Sequence, residues 1–389
     1  APAMAQEVIL PLTANPYIPE ASQQRMALDS HLIELPFVED FSALTVFPNH
    51  ELWSDQYVYV NGDLAKNPVT IGVATFDGLD KDGKAYQISG GVGPCDTLTS
   101  KGFNLDYSPS DSLYLSFYIQ AGGYGVKPSS SDSILLEFYQ AKDSLWNVVW
   151  SATGDIDTGF HWVNLPIVDT NYLQEGFKMR WVNVGNQGGQ FDLWHLDYIK
   201  LDQGRSFSDS ILEDAAFQSR HLSLLDQGYR QVPYSHFKEQ PSVLLSNFQQ
   251  GFANLAPSLR NISFNYQVFE DTTLIYSHPL AADNVAAESR YIQNYPQVSS
   301  LPIADTLSRK VFEWRSYVSA NPDDWKPNDT LSYRLDLDNY YAYDDGTAEL
   351  SYGLTSFGAR LAYGFNSLKA DTLKAIAIHF VQAGVDTEV

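Results

Sequence analysis

A chain of 389 residues is long enough for two or three domains, since domains run roughly 100–200 residues each. Its 14% aromatic content, with 24 Tyr and 21 Phe, favours pleated, half-buried surfaces over helical ones. The 47 acidic against 24 basic residues give a net charge of −23, spread along the chain. A field of that sign repels phosphate backbones and anionic lipid, which argues against nucleic acid as a partner and leaves divalent cations and neutral glycans open.

Cys95 is the only cysteine, so an intrachain disulfide, a Cys-rich zinc site and a CxxC redox motif are all excluded. No run of about 18 apolar residues occurs, and no transmembrane helix is expected. The opening residues Ala1-Pro2-Ala3-Met4-Ala5-Gln6 read either as the small-residue end of a secretory signal, cut after Ala5, or as an Ala-rich disordered start. Residues 1–33 are accordingly an N-terminal extension or processed region.

From 34 to 203 the pattern is short strand, turn, short strand. The runs "DSLYLSFYIQ", "DSILLEFYQ", "SLWNVVWSA", "FHWVNLPIV", "GFKMRWVNVG" and "LWHLDYIKL" are separated by "AGGYGVKPSSS", "SATGDIDTG" and "GNQGGQ". Regular spacing of this kind predicts a sandwich or jelly roll. Phe177, Met179 and Trp181 fall on one face of a strand, with Lys178 and Arg180 on the other; the aromatic face is core.

Residues 204–342 open with a helical or irregular strap and continue as an immunoglobulin-like sandwich. In "ISFNYQVFEDTTLIYS" Ile262, Phe264, Tyr266 and Val268 alternate with Ser263, Asn265, Gln267 and Phe269, and about seven short strands are expected. A third, incomplete β domain starts at 343 with "YDDGTAELSYGL", "ARLAYGF" and "LKAIAIHFVQ". Three or four strands are too few to close a sandwich, so the natural gene product is expected to continue past Val389.

No GxSxG elbow, HExxH, P-loop or strand-to-helix GxGxxG is present, and a non-enzymatic chain is expected. His161 and His195 read as packed or surface histidines. In "FDGLDKDGKAY" Asp77, Asp80 and Asp82 stand close to Gly83, either as hard oxygen ligands for Ca2+ or as a polar turn between strands. Asp344, Asp345 and Glu349 of "YDDGTAE" form a second such candidate. Among the tryptophans, Trp146 and Trp150 are expected on one side of a strand, most others in the core. Trp325, in the polar turn "NPDDWKPND", is the candidate for stacking on a ligand.

A tripeptide of Asp, Ser or Thr, then aliphatic or Thr recurs nine times, where chance supplies roughly two. Asp and Ser/Thr are good turn residues just before a strand, which accounts for part of the excess. The tripeptide also resembles the acceptor motif of the general protein O-glycosylation system of Bacteroidota. That resemblance implies acceptors at Thr97, Ser112, Ser133, Ser144, Ser210, Thr272, Thr306, Thr330 and Thr372.

A second resemblance rests on "LPFVEDFS", "GVATFDGLDKDGKAY", "DSLYLSFYIQAGGYG", "WHLDYIKL" and "DDWKPNDTLSYRLDLDNYYAYDDGTAELSYGL". These look like the multi-domain surface proteins that Bacteroidota export through the type IX secretion system. The likeness implies an all-β chain: a jelly-roll (MAM/lectin-like) sandwich, an immunoglobulin-like sandwich and the start of a third β domain, with no catalytic residues. It further implies a secreted or outer-surface adhesin or structural component, handled by the type IX secretion machinery and binding a glycan or protein ligand. The alternatives are an accessory carbohydrate-binding portion of a larger secreted hydrolase, and a client or component of an outer-membrane secretion complex. Fold alone does not choose among these.

Overall fold

Aromatic and aliphatic residues at every second position make each long strand two-faced, and burying those faces in pairs builds the molecule. The structure, a computed structural model, describes residues 7–15, 18, 31–43, 45–210, 212–218, 224–304, 308–344, 346, 348–355 and 358–378. It divides into two units, one of Ala1–Ser210 with Ala348–Leu361 and His379–Val389, the other of Ile211–Thr347 with Ala362–Ile378. Both are all-β.

In the first unit the strands are β1 (Glu7–Leu10), β2 (Phe37–Glu39), β3 (Tyr59–Asn61), β4 (Val73–Phe76), β5 (Val92–Thr99), β6 (Phe103–Asn104), β7 (Tyr114–Ala121), β8 (Ser133–Gln140), β9 (Leu145–Thr153), β10 (His161–Pro166), β11 (Glu175–Asn186) and β12 (Trp194–Asp202). One sheet runs β10-β7-β12-β4-β3 with β2 on β12, and the other β5-β11-β8-β9 with β6 on β11. Neighbouring strands are antiparallel throughout.

Between the sheets lies one continuous core. Leu115, Phe117 and Ile119 of β7 project into it, as do Phe177, Met179 and Trp181 of β11. The Trp181 ring is wholly buried, and Phe117 meets it edge-on with centroids 5.3 Å apart. Trp53 closes a further edge at 6.3 Å. Edge-to-face pairs of this kind add to the area each ring buries. His195 is packed in the same unit and wholly buried, between the Thr75 hydroxyl at 2.9 Å and the Gly122 carbonyl at 3.3 Å. Burial holds its pKa down at about 4, so the ring is neutral at pH 7. His161 is half-buried and meets Asp157 at 3.1 Å.

The second unit contains β13 (Ala215–Phe217), β14 (Asn247–Asn254), β15 (Arg260–Glu270), β16 (Thr273–Ser277), β17 (Ala281–Val285), β18 (Ser289–Pro296), β19 (Lys310–Asn321) and β20 (Thr330–Leu337). A three-stranded sheet β13-β14-β18 packs on a larger one of β16-β15-β19-β20 with β17 on β15. Phe248 meets Tyr266 at 4.9 Å and Phe252 meets Phe264 at 5.8 Å. That arrangement fits the immunoglobulin-like pattern of alternation. Among its described residues the strap preceding it holds one short helix, α1 (Tyr234–Phe237), and single 3-10 turns.

Beyond 343 the described residues contain a single further strand, β21 (Ser351–Leu354), paired antiparallel with β1. The apolar stretches at 359–365 and 373–378 carry no strand, and Leu361, Tyr363, Leu373, Ile376 and Ile378 are exposed. A strand needs a neighbouring edge for its backbone groups, and these stretches have none among the described residues. No helix among the described residues is long and apolar enough to cross a membrane.

Trp181→Ala removes the ring on which Phe117 and Trp53 rest, and should cost about 3–5 kcal/mol in denaturant unfolding of the first unit. Asp197 is buried and accepts the Thr70 amide at 2.9 Å and the Thr70 hydroxyl at 3.0 Å. Burial, with the charge of Asp40 adding to it, pushes its pKa up to about 8. The native chain therefore keeps a proton here that the unfolded chain loses near pH 4, so its stabilising effect declines as pH rises towards 8. Glu39, lifted to about 7 by burial, acts in the same direction. Melting curves should show Tm falling from pH 5 to pH 8, with a shallower fall in Asp197→Asn.

Candidate functional site

Outward-facing residues of the β5-β11-β8-β9 sheet form the most chemically developed surface of the first unit. Tyr139 of β8 stands opposite Trp146 of β9, with ring centroids 5.1 Å apart. The Arg180 guanidinium of β11 lies over the Trp146 ring, 4.2 Å from its centroid. Arg180 Nε donates to Glu137 Oε2 at 2.8 Å, which holds the guanidinium plane in place. Lys178 Nζ sits 5.6 Å from the centre of Tyr139. Val148, exposed and opposite Glu137, extends the surface along β9.

A β-bulge decides which tryptophan belongs here. Register along β8 and β9 shifts between Leu136 and Glu137, so Trp146 pairs with Tyr139 while Trp150 pairs with Leu136. One extra residue in a strand flips every later side chain to the other face. Trp150 therefore turns inward onto Phe117 at 5.3 Å, and the expectation that the two tryptophans share a side is corrected. Arg180 was legible as outward from its alternation with Met179 and Trp181. Tyr139 carries the same signal in the sequence, because it alternates with buried Phe138.

Trp325 is half-buried. Its neighbour Lys326 is tied to Asp323 at 2.7 Å and Asp329 at 3.3 Å. A second outward aromatic pair, Tyr118 and Trp162 at 4.8 Å, stands on the β7-β10 edge of the opposite sheet.

Asp77, Asp80 and Asp82 do not converge. Asp77 is turned into the interior. Asp80 Oδ1 accepts the amides of Asp82 at 2.9 Å and Lys84 at 3.0 Å, and Asp82 pairs with Lys81 at 2.8 Å. The outer two carboxylates thus shape the turn that carries Gly83. Asp344 is exposed and Glu349 half-buried; Asp345 lies outside the described residues. Among the described residues no three His, Cys, Asp or Glu side chains gather as a metal cluster.

The recurring tripeptide has a local structural role at two of its sites. Asp111 Oδ2 accepts the Ser108 amide at 2.7 Å and hydroxyl at 2.9 Å, and Asp132 Oδ2 accepts the Ser129 amide at 2.8 Å and hydroxyl at 2.5 Å. Each carboxylate closes a turn just ahead of β7 or β8. Ser112 and Ser133 follow those turns half-buried, and Thr97 is half-buried within β5 with its hydroxyl on Asp55 at 2.9 Å. Ser144, Ser210, Thr272, Thr330 and Thr372 are exposed; Thr306 lies outside the described residues. Asp132→Ala removes a turn closure and should lower stability by about 1 kcal/mol, measured by thermal melting against Asp143→Ala in the exposed β8-β9 hairpin as the control.

No family model matches the chain, and no curated protein matches it either. Among solved structures it is similar to a GH2 β-galacturonidase from Eisenbergiella tayi, with TM-score 0.26 and 9% identity over 62% of this chain and 36% of that one. A β-D-mannosidase from Dictyoglomus thermophilum aligns with TM-score 0.28 and 9% identity over 62% and 29%. Bacteroides uniformis β-glucuronidase 2 aligns with TM-score 0.26 and 11% identity over 85% and 32%. The chain thus spans about a third of the length of these proteins.

Proposed function

We propose that this chain is a non-catalytic, glycan-binding region of an exported surface protein, with the ligand held on the outward face of the β5-β11-β8-β9 sheet. The observation that carries this reading is the Tyr139, Trp146 and Arg180 group, beside the ion-paired Glu137. Flat aromatic rings suit the apolar face of a pyranose. A neighbouring Arg and Glu supply fixed donors and acceptors for its hydroxyls. The overall acidity favours a neutral sugar over an anionic one.

Export by the type IX system, an outer-surface or extracellular location and O-glycosylation belong to the same proposal. They rest on the sequence resemblances and on the repeated tripeptide. A free-standing adhesin and the accessory part of a larger hydrolase would use this face in the same way.

Affinity electrophoresis through neutral plant and host polysaccharides tests the binding. Retardation by at least one is expected, with Trp146→Ala weakening it about tenfold or more while Trp162→Ala leaves it unchanged. Retardation that Trp146→Ala leaves intact would remove the proposal. For the modification, peptide mass measurement on protein from its native host should place sugar on exposed Ser144, Ser210, Thr272, Thr330 or Thr372. Unmodified peptides at all five would leave the tripeptide as a turn device.

A further inference from the structure

Asp77 and Asp96 lie together in the interior of the first unit without a basic partner among the described residues. Asp77 directly follows β4 of one sheet and Asp96 stands on β5 of the other, and they are 1% and 0% exposed. Asp96 accepts the Gly78 amide at 2.6 Å and the Tyr86 hydroxyl at 3.0 Å. Asp77 accepts the Leu79 amide at 3.2 Å and Gln190 Nε2 at 3.2 Å. Burial, and for Asp96 the neighbouring charge of Asp77, raises both carboxyls above the ordinary range. Two like charges removed from water demand a compensating proton or cation.

The neutral groups around the pair point to a cation. Gln190 is 2% exposed and aims its amide at Asp77, yet its Oε1 has no hydrogen-bond partner. Asn183, 1% exposed, sits on β11 beside Asp96, and neither of its amide atoms makes a hydrogen bond of normal geometry. Buried polar atoms of this kind are few in native interiors. Backbone oxygens crowd the same corner. A Cβ on Gly78, whose φ is +73°, would lie 2.6 Å from the Gly189 carbonyl and 3.2 Å from that of Phe191.

We propose that this corner binds one divalent, oxygen-seeking cation of the calcium type, with Asp77 and Asp96 as charged ligands and Gln190 Oε1 and Asn183 Oδ1 as neutral ones. Two carboxylates with amide oxygens suit Ca2+, which takes six to eight oxygens in adaptable geometry, better than Mg2+ or the nitrogen- and sulfur-seeking Zn2+. The set shares only Asp77 with the acidic turn. A cation held there would join the two sheets at one end of the core.

Calorimetric titration and thermal melting of the whole, chelator-stripped chain with CaCl2 test this. One Ca2+ per chain is expected, with Tm rising about 5 °C or more at saturation and a smaller response to Mg2+. Asp96→Asn should abolish the Ca2+ response and raise Tm in chelator, because it removes a buried charge; a purely structural carboxylate would lower Tm in both buffers. Asp80→Ala with Asp82→Ala should keep the full response. Should Asp96→Asn fail to fold, Gln190→Met retains the charges and should weaken Ca2+ affinity about tenfold. The proposal fails if the wild-type chain binds no Ca2+, which would leave a shared proton. It also fails if the response survives Asp96→Asn or Gln190→Met, or vanishes with the Asp80 and Asp82 pair.

Discussion

The contact between Phe117 and Trp181, one from each sheet, sets the facing of the side chains on β7 and β11. Once those rings are locked inward, strict alternation sends Arg180 and Lys178 out and Met179 and Phe177 in. Antiparallel register then passes the same order to β8, where Phe138 goes in and Tyr139 out. The glycan surface proposed above is thus the reverse side of the core. A one-residue slip in β11 would lose both together.

The same core explains how so acidic a chain keeps carboxylates inside. Glu39, Asp77, Asp96 and Asp197 are met mainly by amides and hydroxyls, and by no arginine among the described residues. Donors of that kind stabilise a carboxylate, yet burial still outweighs them and raises these groups above the ordinary carboxylate range. In the second unit the balance differs. Buried Arg260 lies 3.7 Å from Asp324, and Lys310 is paired with Glu270.

Much of this was legible from alternation alone. The strand runs between 111 and 201, the inward set Phe177, Met179 and Trp181, and the alternating strand Ile262–Val268 follow from period two and appear in the structure as β7 to β12 and β15. What escaped has physical causes. The bulge at β9 leaves no mark in composition, so Trp146 and Trp150 could not be separated. Asp96 looked like one more turn residue in a repeated tripeptide, whereas the register of β5 on β11 turns it inward. The apolar stretches near the end of the chain carry strand-like patterns, but pattern forms a strand only where an edge is available.

Oxidative footprinting of the tryptophans, read by mass spectrometry with and without a retained polysaccharide, reports directly on whether the outward face of β8 and β9 holds the sugar. Protection at Trp146 is expected on ligand binding, with Trp162 and Trp325 unchanged. Protection confined to Trp162 or Trp325, with Trp146 equally reactive in both states, would contradict it.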